Sequence, residues 1–581
     1  QSTWDLQFEF LHSARRLGTS GVVITLKEDL GVWLGLDPGT AGACVAYADE
    51  RAVQVVPNPL TKALIRESLV FVPPRIKGDD RVLALPELLW SDFLPEPRPE
   101  EAVAKTRLGY LVGERARNES KRGGNSAFRS AKRMIGYSNR RTITQDEREY
   151  RLSGVDLTAM LVRGLRKDAL SELAAKGKKS RAAVVAVPNG FTPSRIEDMK
   201  QACRDAGIAV VEHLFEAEAI LLSDCARNGG SQRWREGGRF LVVDFGGGSL
   251  NLSLAWVVRD GKQITIDVSR RLGYCLGGDR VDYELAVALL RAAGGEWPEG
   301  PTEKRKWLDA AEEAKISLSR TRSSQIELPS TVVVDIDQPW LLTSTTSIRT
   351  RIQSGVREVL HGLRLGKSTL TVILGGRSLQ LGAFRDAVKD GLDLWINEQA
   401  PRPEVEFVDL PGDERKTSVA VGAAYFGRHR RSFKISRSPT LGVNVGVYRF
   451  VTGPNDPEPV WEELLRESTK YPNPKGVATL ATLKPTAFPH NSHIVVHQVA
   501  GNPKIPWDEG FFRRAALASF AVDDGLPDDA KIGVSVLLHP DERLTVAFDA
   551  HSVRLIVGGH TSDAPDIRAE GDESIMRALD E

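Results

Sequence analysis

The sequence predicts an α/β protein with a duplicated core, followed by an all-β sandwich. Three observations predict it. Two strand–Asp–glycine turn–strand hairpins run in the same polarity, one carrying Asp37 and the other Asp244. Strands and helices alternate around them, the pattern of α/β layers. Beyond residue 439 the pattern changes to short alternating strands separated by turn residues, as in a sandwich.

The totals agree. A chain of 581 residues should hold several domains, at roughly 150 residues each. Its 41% hydrophobic and 27% charged residues suit a globular protein. A net charge of +1 gives no electrostatic reason to expect nucleic acid or an anionic membrane as partner. Cys44, Cys203, Cys225 and Cys275 are scattered, with no CxxC pair. That argues against zinc and a disulfide scaffold, and leads to the expectation of a reducing, cytoplasmic setting. No apolar run nears the ~20 residues of a membrane span. No secretory signal pattern opens the chain. It begins at Gln1, which points to residues upstream.

Residues 1–30 read as an N-terminal extension. Trp4, Leu6, Phe8 and Phe10 alternate as in a half-buried strand, Val22-Val23-Ile24 suggest another, and Gly18 and Gly21 supply a turn. From Gly31 an apolar strand leads to Asp37; Gly39, Thr40 and Gly42 form the tip, and residues 44–47 return. Residues 111–136 are basic, and helical or looped. Residues 182–187 form a buried-type strand ending at Pro188, and 197–206 a helix closed by Gly207. Val210-Val211 begin a strand that leads through Phe215-Glu216-Ala217 into a helix. In the second hairpin Leu241-Val242-Val243 run into Asp244, then Gly246, Gly247, Gly248 and Ser249, and Leu250, Leu252 and Leu254 share one face of the returning strand. Read alone, such a tip is either an ordinary turn or a phosphate cradle. In a cradle, bare backbone N–H groups take the anion and the carboxylate holds a hydrated cation. Two tips of one polarity favour the cradle, with two related halves facing one nucleotide.

Further along, Leu276-Gly277-Gly278-Asp279 precede a helix, and 307–318 form another with Glu312 and Lys315 at i, i+3. Residues 370–374 are a buried strand ending in Gly375-Gly376, and 383–392 a helix. Gly366-Lys367-Ser368 imitates the end of a phosphate loop. His361 stands where that loop needs its first glycine, and the segment precedes a strand, so it is set aside. Residues 428–438, basic and free of acids, read as an interdomain linker. Residues 439–560 form the β domain, with strands expected at 443–450, 476–483, 493–499, 511–522, 531–538 and 544–550. Residues 561–581 are an acidic, solvated tail.

Taken in order, GLDPGTAGACVAY, VVPN with ESLVFV, SAKRMIGY, VVAVPNGF, LFEAEAI, VVDFGGGSLNLS, LGGDRVD, AEEAKISLS, ILGGRS and VAVGAAY resemble the nucleotide-binding domain of the DnaK-type, seventy-kilodalton heat-shock chaperones. These belong to the actin-like ATPase superfamily, and the resemblance covers residues 31–427. Residues 439–560 resemble, more faintly, that family's peptide-binding sandwich, which LGVNVGV would open. The resemblance implies a two-lobed actin-like fold with ATP or ADP and Mg²⁺ in its cleft. Asp37 and Asp244 would organise the magnesium through water. Gly39, Thr40, Ala41, Gly246, Gly247, Gly248 and Ser249 would hold the phosphates. Glu216 would position the ion or the attacking water. Gly278, Glu312, Lys315, Ser319, Gly375, Gly376 and Arg377 would surround the nucleoside, and Pro188 matches a proline used in domain coupling. Phosphoryl transfer rests on such positioned charge.

The departures shape the expected function. The family's catalytic lysine falls at Arg117, whose planar fork is not an ammonium point charge. Asn251 replaces an aspartate, Ala41 and Gly42 replace polar residues, and Ile316 replaces an arginine beside the base. Nucleotide binding with attenuated hydrolysis is the expectation. The family's unfolded or extended polypeptide would be the partner, with co-chaperones and a nucleotide-exchange factor. Glu212 stands where many members carry an arginine for J-domain co-chaperones, which puts that contact in doubt. The helical lid that follows the family's sandwich has no counterpart in the acidic tail, so rapid release of peptide is expected. Two alternatives stay open: a nucleotide-gated, non-hydrolysing adaptor, and an actin-like kinase or filament protein. A kinase lacks its sugar-side base here, and a filament protein would lack the sandwich.

Overall fold

The computed structural model describes residues 31–437 apart from 59–60, 74–82, 85–107, 121–126, 137–139, 192, 275 and 299–300, and beyond them eight strands between 444 and 557. The expected N-terminal extension, 1–30, and the acidic tail, 561–581, lie outside the described residues.

The first half is built on β1 (Val32–Asp37), every residue of which is buried, as a strand covered on both faces requires. It turns back as β2 (Gly42–Ala48), with Asp37 opposite Cys44, and β3 (Val53–Val55) follows on the outside. Helix α1 (Gly154–Ala175) starts from a capping box, Ser153 with Asp156, which satisfies two backbone donors reciprocally. It leads to β4 (Ser180–Val187), parallel to β1. Helix α2 (Pro193–Asp205) leads to β5 (Val210–Phe215), parallel to β4, and α3 (Glu216–Asn228) begins directly after it. The strand order is β5-β4-β1-β2-β3.

The second half repeats this frame. Strand β6 (Gly238–Phe245) turns back as β7 (Leu250–Asp260), with Asp244 opposite Asn251, and β8 (Gln263–Tyr274) follows. Helices α4 (Gly278–Ala292), α5 (Pro301–Leu318) and α6 (Thr346–Leu360) lead to β9 (Thr369–Gly375), parallel to β6. Then α7 (Gly382–Asn397), β10 (Glu404–Asp409) and α8 (Glu414–His429) repeat α2, β5 and α3. The order is β10-β9-β6-β7-β8, matching the first sheet strand for strand, with one further strand on the outer edge.

Helices α3 and α8 join the halves. Leu221 and Val419 share one apolar core with Trp33 and Val184 of the first sheet and Phe240 and Val242 of the second. The two helices touch backbone to backbone: a Cβ on Gly422 would lie 1.7 Å from the carbonyl oxygen of Ala219. No residue but glycine fits there without moving a helix.

The segment read as a linker, 428–438, is structured up to Arg437. Helix α8 runs to His429, a single 3₁₀ turn spans Arg430–Ser432, and β11 (Phe433–Arg437) adds to β8 in parallel as that edge strand. Phe433 is buried in the shared core and Ile435 packs against it, while Lys434 points outward. A period of two was present, but the basic residues Lys434 and Arg437 and the arginines before them hid it. Arg437 pairs with the buried Glu218 of α3 at 2.9 Å.

Beyond it lie two four-stranded antiparallel sheets. One is ordered β13 (Pro459–Leu465), β12 (Asn444–Phe450), β15 (His493–Val499), β16 (Arg514–Ala521). The other is β14 (Thr479–Leu483), β17 (Ile532–Leu538), β18 (Leu544–Ala550), β19 (Val553–Val557). The sequence reading missed β13 and β19. Strand β13 begins with proline and carries Glu462-Glu463; it lies at a sheet edge, where both are tolerated.

Candidate functional site

Both hairpins carry an aspartate where the first strand ends. Ligand sites of α/β sheets form beyond such strand ends. Asp37 is fully buried. Its Oδ2 accepts from Lys416 Nζ at 2.5 Å, and Lys132 Nζ stands 3.9 Å from its Oδ1, which accepts no hydrogen bond. Lys416 comes from the first turn of α8 and Lys132 from a 3₁₀ turn, Ala131–Met134. Asp244 is also buried. Its Oδ2 accepts from Asn251 Nδ2 at 3.2 Å. Burial, then the charge of Glu216, pushes the Asp244 carboxyl up to about 7.

Glu216, the first residue of α3, reaches this cluster. Its Oε1 accepts from Lys132 Nζ at 2.5 Å and its Oε2 from Asn251 Nδ2 at 2.7 Å, with Ser249 Oγ at 3.4 Å. Burial works against the Glu216 carboxylate, but Lys132, Lys416 and the Asn251 amide outweigh it and hold its pKa below the ordinary value. Asn251 Oδ1 accepts from the backbone N–H of Asn189 at 2.9 Å, which fixes the amide with its donor side toward the acids. An aspartate there would place a third acid against Glu216 and Asp244.

The glycine tips meet. A Cβ on Gly247 would lie 2.5 Å from the Cβ of Ala41, and one on Gly248 2.5 Å from Thr40 Oγ1. A Cβ on Gly39 would lie 2.2 Å from Lys416 Nζ. Gly246 accepts from Gly278 N at 3.0 Å and from Ser378 Oγ at 2.8 Å, so the start of α4 and the turn after β9 are tied to the second tip. Gly376 has φ of +81°, a left-handed conformation that favours glycine; a Cβ there would lie 2.3 Å from the Phe245 carbonyl and 2.7 Å from Asp244 Oδ1. Gly375 packs on Ile220 of α3. A cavity of about 30 Å³ lies beside the tips, lined by Thr40, Lys132, Pro188, Gly248, Ser249 and Asn251 among others.

Asp37, Gly39, Thr40, Ala41, Glu216, Asp244, Gly246 to Ser249, Gly278 and Gly376 thus come together. Arg117 is held elsewhere, on the short helix Glu114–Ser120, by ion pairs to Glu67 and, at 3.6 Å, to Glu312. Glu312 also takes Arg129 at 3.2 Å. Lys315 pairs with Asp282 at 2.6 Å and reaches the Gly278 carbonyl at 3.4 Å. Ser319 bonds the carbonyl of Ile316 within its own helix end, and Arg377 is exposed. Glu212 is half exposed beside His213. Sequence reasoning missed the roles of Lys132 and Lys416. Lys132 stood within SAKRMIGY without a role. Lys416 was legible as a charge just before a run of small residues that could only be buried.

A duplicated α/β frame with glycine hairpins over buried carboxylates defines a protein of the actin-like ATPase class. The family model "Hsp70 protein" matches residues 101–363. Chaperone protein DnaK of Mycoplasma mobile is 25% identical over 409 residues, 68% of this chain and 57% of that one. DnaK of Thermotoga neapolitana is 29% identical over 270 residues, 45% of this chain and 42% of that one. DnaK of Elusimicrobium minutum is 29% identical over 233 residues, 39% and 35% of the two chains. The chain is thus similar to the Hsp70 family, as a distant relative that spans between 35% and 57% of the length of these three. Hsp70 proteins are ATP-binding chaperones that generally take ATP or ADP with Mg²⁺. No helix among the described residues is long and apolar enough to cross a membrane.

The residues fit the nucleotide's phosphates better than its metal. The bare tips offer backbone N–H groups close to two ammonium groups. Asp37, however, already carries Lys416 on Oδ2, with Lys132 3.9 Å from Oδ1, and Asn251 adds no charge. Among the described residues, no group of three or more His, Cys, Asp or Glu is placed to hold a metal ion.

Proposed function

We propose that this chain is a nucleotide-binding, chaperone-like protein that takes ATP or ADP between its two glycine tips and couples that to binding of extended polypeptide, with attenuated hydrolysis. The observation that carries the reading is the meeting of the tips, Gly39 to Ala41 and Gly246 to Ser249, above buried Asp37, Asp244 and Glu216. Phosphate oxygens would be held by tip N–H groups and by Lys132 and Lys416. Glu216, kept ionised by Lys132, would orient a water. Gly278, Gly376 and Lys315 would border the nucleoside. The two C-terminal sheets would form the polypeptide-binding sandwich, taking a strand by main-chain pairing. Co-chaperones and an exchange factor would be the further partners.

Attenuated hydrolysis follows from charge. Asn251 withholds a carboxylate beside Glu216 and Asp244, while the site's cations are Lys132 and Lys416 and Arg117 is engaged by Glu67 and Glu312 instead. The missing carboxylate at Asn251 also favours a second reading, a nucleotide-gated adaptor that never turns over. Calorimetric titration with ADP and ATP should give one site per chain, and no binding of either overturns the proposal. Single-turnover hydrolysis with an unstructured peptide then separates the readings. Peptide-stimulated turnover is the chaperone's result; ATP recovered intact is the adaptor's.

A further inference from the structure

We infer that Lys416 is a built-in cation for the bound phosphates, so that this chain holds a nucleoside di- or triphosphate with little help from a divalent metal. The inference rests on the nucleotide reading above. Three features of the geometry support it. The ammonium bonds Asp37 at 2.5 Å and lies against the first glycine tip, where a Cβ on Gly39 would come within 2.2 Å of it. It therefore stands between the carboxylate and the place of the phosphates, the place a hydrated cation takes in a carboxylate–phosphate bridge. The surrounding charges have also moved in one direction. Asp37 and Glu216 are met by Lys132 and Lys416, and Asn251 donates its amide to Glu216 and Asp244 instead of adding a third acid. Uncompensated acids would repel a polyphosphate and require a metal between them. Two buried ammonium groups remove most of that need, and a fixed cation requires no dehydration of an ion. Finally, Lys416 cannot swing away cheaply. Its side chain is largely buried, and leaving would take from the buried Asp37 carboxylate its hydrogen-bonded ammonium, with Lys132 left 3.9 Å from the other oxygen.

The test is calorimetric titration of ADP into the full chain, in Mg²⁺ and in excess EDTA. The dissociation constants should agree within about fivefold, under 1 kcal/mol by the tenfold-per-1.4 rule. A larger Mg²⁺ dependence overturns the inference while leaving the nucleotide reading intact. No binding in either condition removes the nucleotide reading itself, and this inference with it. In Lys416→Ala, ADP binding in EDTA should weaken by about tenfold or more, with Mg²⁺ restoring part of it. Lys416→Arg should keep the metal-independent binding. Unchanged binding in Lys416→Ala and in a second variant, Lys416→Gln, would overturn the assignment. If those variants do not fold, the wild-type ratio decides alone.

Discussion

The two hairpins share a backbone and differ in what neutralises their aspartate. Register makes the match residue for residue: Asp37 faces Cys44, and Asp244 faces Asn251. The helix that follows each half's outer strand supplies a charged residue to the other half's hairpin. Helix α3 of the first half sends Glu216 to Asn251 and Ser249; α8 of the second sends Lys416 to Asp37. In the first hairpin the aspartate meets a full positive charge, and the facing Cys44 thiol, pushed up to about 12 by burial first, stays neutral. In the second the aspartate meets only an amide, beside a further acid. Its carboxyl rises to about 7 accordingly. The same frame thus holds one tip cation-bound and the other poised near neutrality. Duplication fixes where charges can be placed, and each half's side chains decide their sign.

The largest expected effect breaks the frame that lets each half reach the other. Gly422→Val would drive a side chain into the Ala219 carbonyl and separate α3 from α8. Loss of about 3 kcal/mol or more is expected in urea unfolding; a stable variant would show that the helices do not hold the hairpins' partners in place.

Next is the shared ammonium. Lys132→Met leaves Glu216 buried without its cation, which should cost about 3 kcal/mol. Adding Glu216→Gln should recover part of it. If the pair of substitutions is simply additive, the Lys132–Glu216 contact carries no coupling.

A smaller effect should come from making the second hairpin acidic. Asn251→Asp places a third carboxylate beside Glu216 and Asp244. About 2 kcal/mol should be lost at pH 8, and less at pH 5, where the added acid can hold a proton. Equal stability at both would mean the site tolerates that charge.

The smallest effect contrasts the outer strands. His213 of β5 lies at the register that Asp409 occupies in β10, through Leu36–Val185 and Val243–Leu374. Asp409 is half exposed and paired with Arg415. His213 is pushed down to about 3, by burial first and then by Arg437, with Lys200 and Arg271 adding to it and Glu218 opposing; Glu212 stands 3.5 Å from its Nδ1. A depressed histidine is neutral when folded and takes up a proton when unfolded below pH ~6.5, so its contribution is full above that pH and lost as pH falls. Wild type should lose about 1 kcal/mol more than His213→Asn between pH 7 and 5.5. Parallel pH profiles would assign the titration elsewhere.

The same comparison explains what the sequence could disclose. Each hairpin is local: an apolar strand, an aspartate, glycines and a return strand lie within a few residues, so both tips and the α/β duplication were legible. The partners are not local. Lys416 lies 379 positions from Asp37, and Lys132 lies 84 from Glu216. Nothing in either neighbourhood announces the pairing, which exists because α8 passes between two sheets. Arg117 was placed by motif order, but its guanidinium answers to Glu67 and Glu312, acids from other parts of the chain. Strand β11 was hidden by the basic run it belongs to, in which Arg437 proves to be the partner of a buried glutamate.

Amide hydrogen exchange with and without ADP tests the central claim most directly. If the two halves grip one nucleotide, the tips at 37–44 and 244–251 should both gain protection, at the same ADP concentration. Protection confined to one tip, or absent from both while ADP is bound, would contradict a shared clamp.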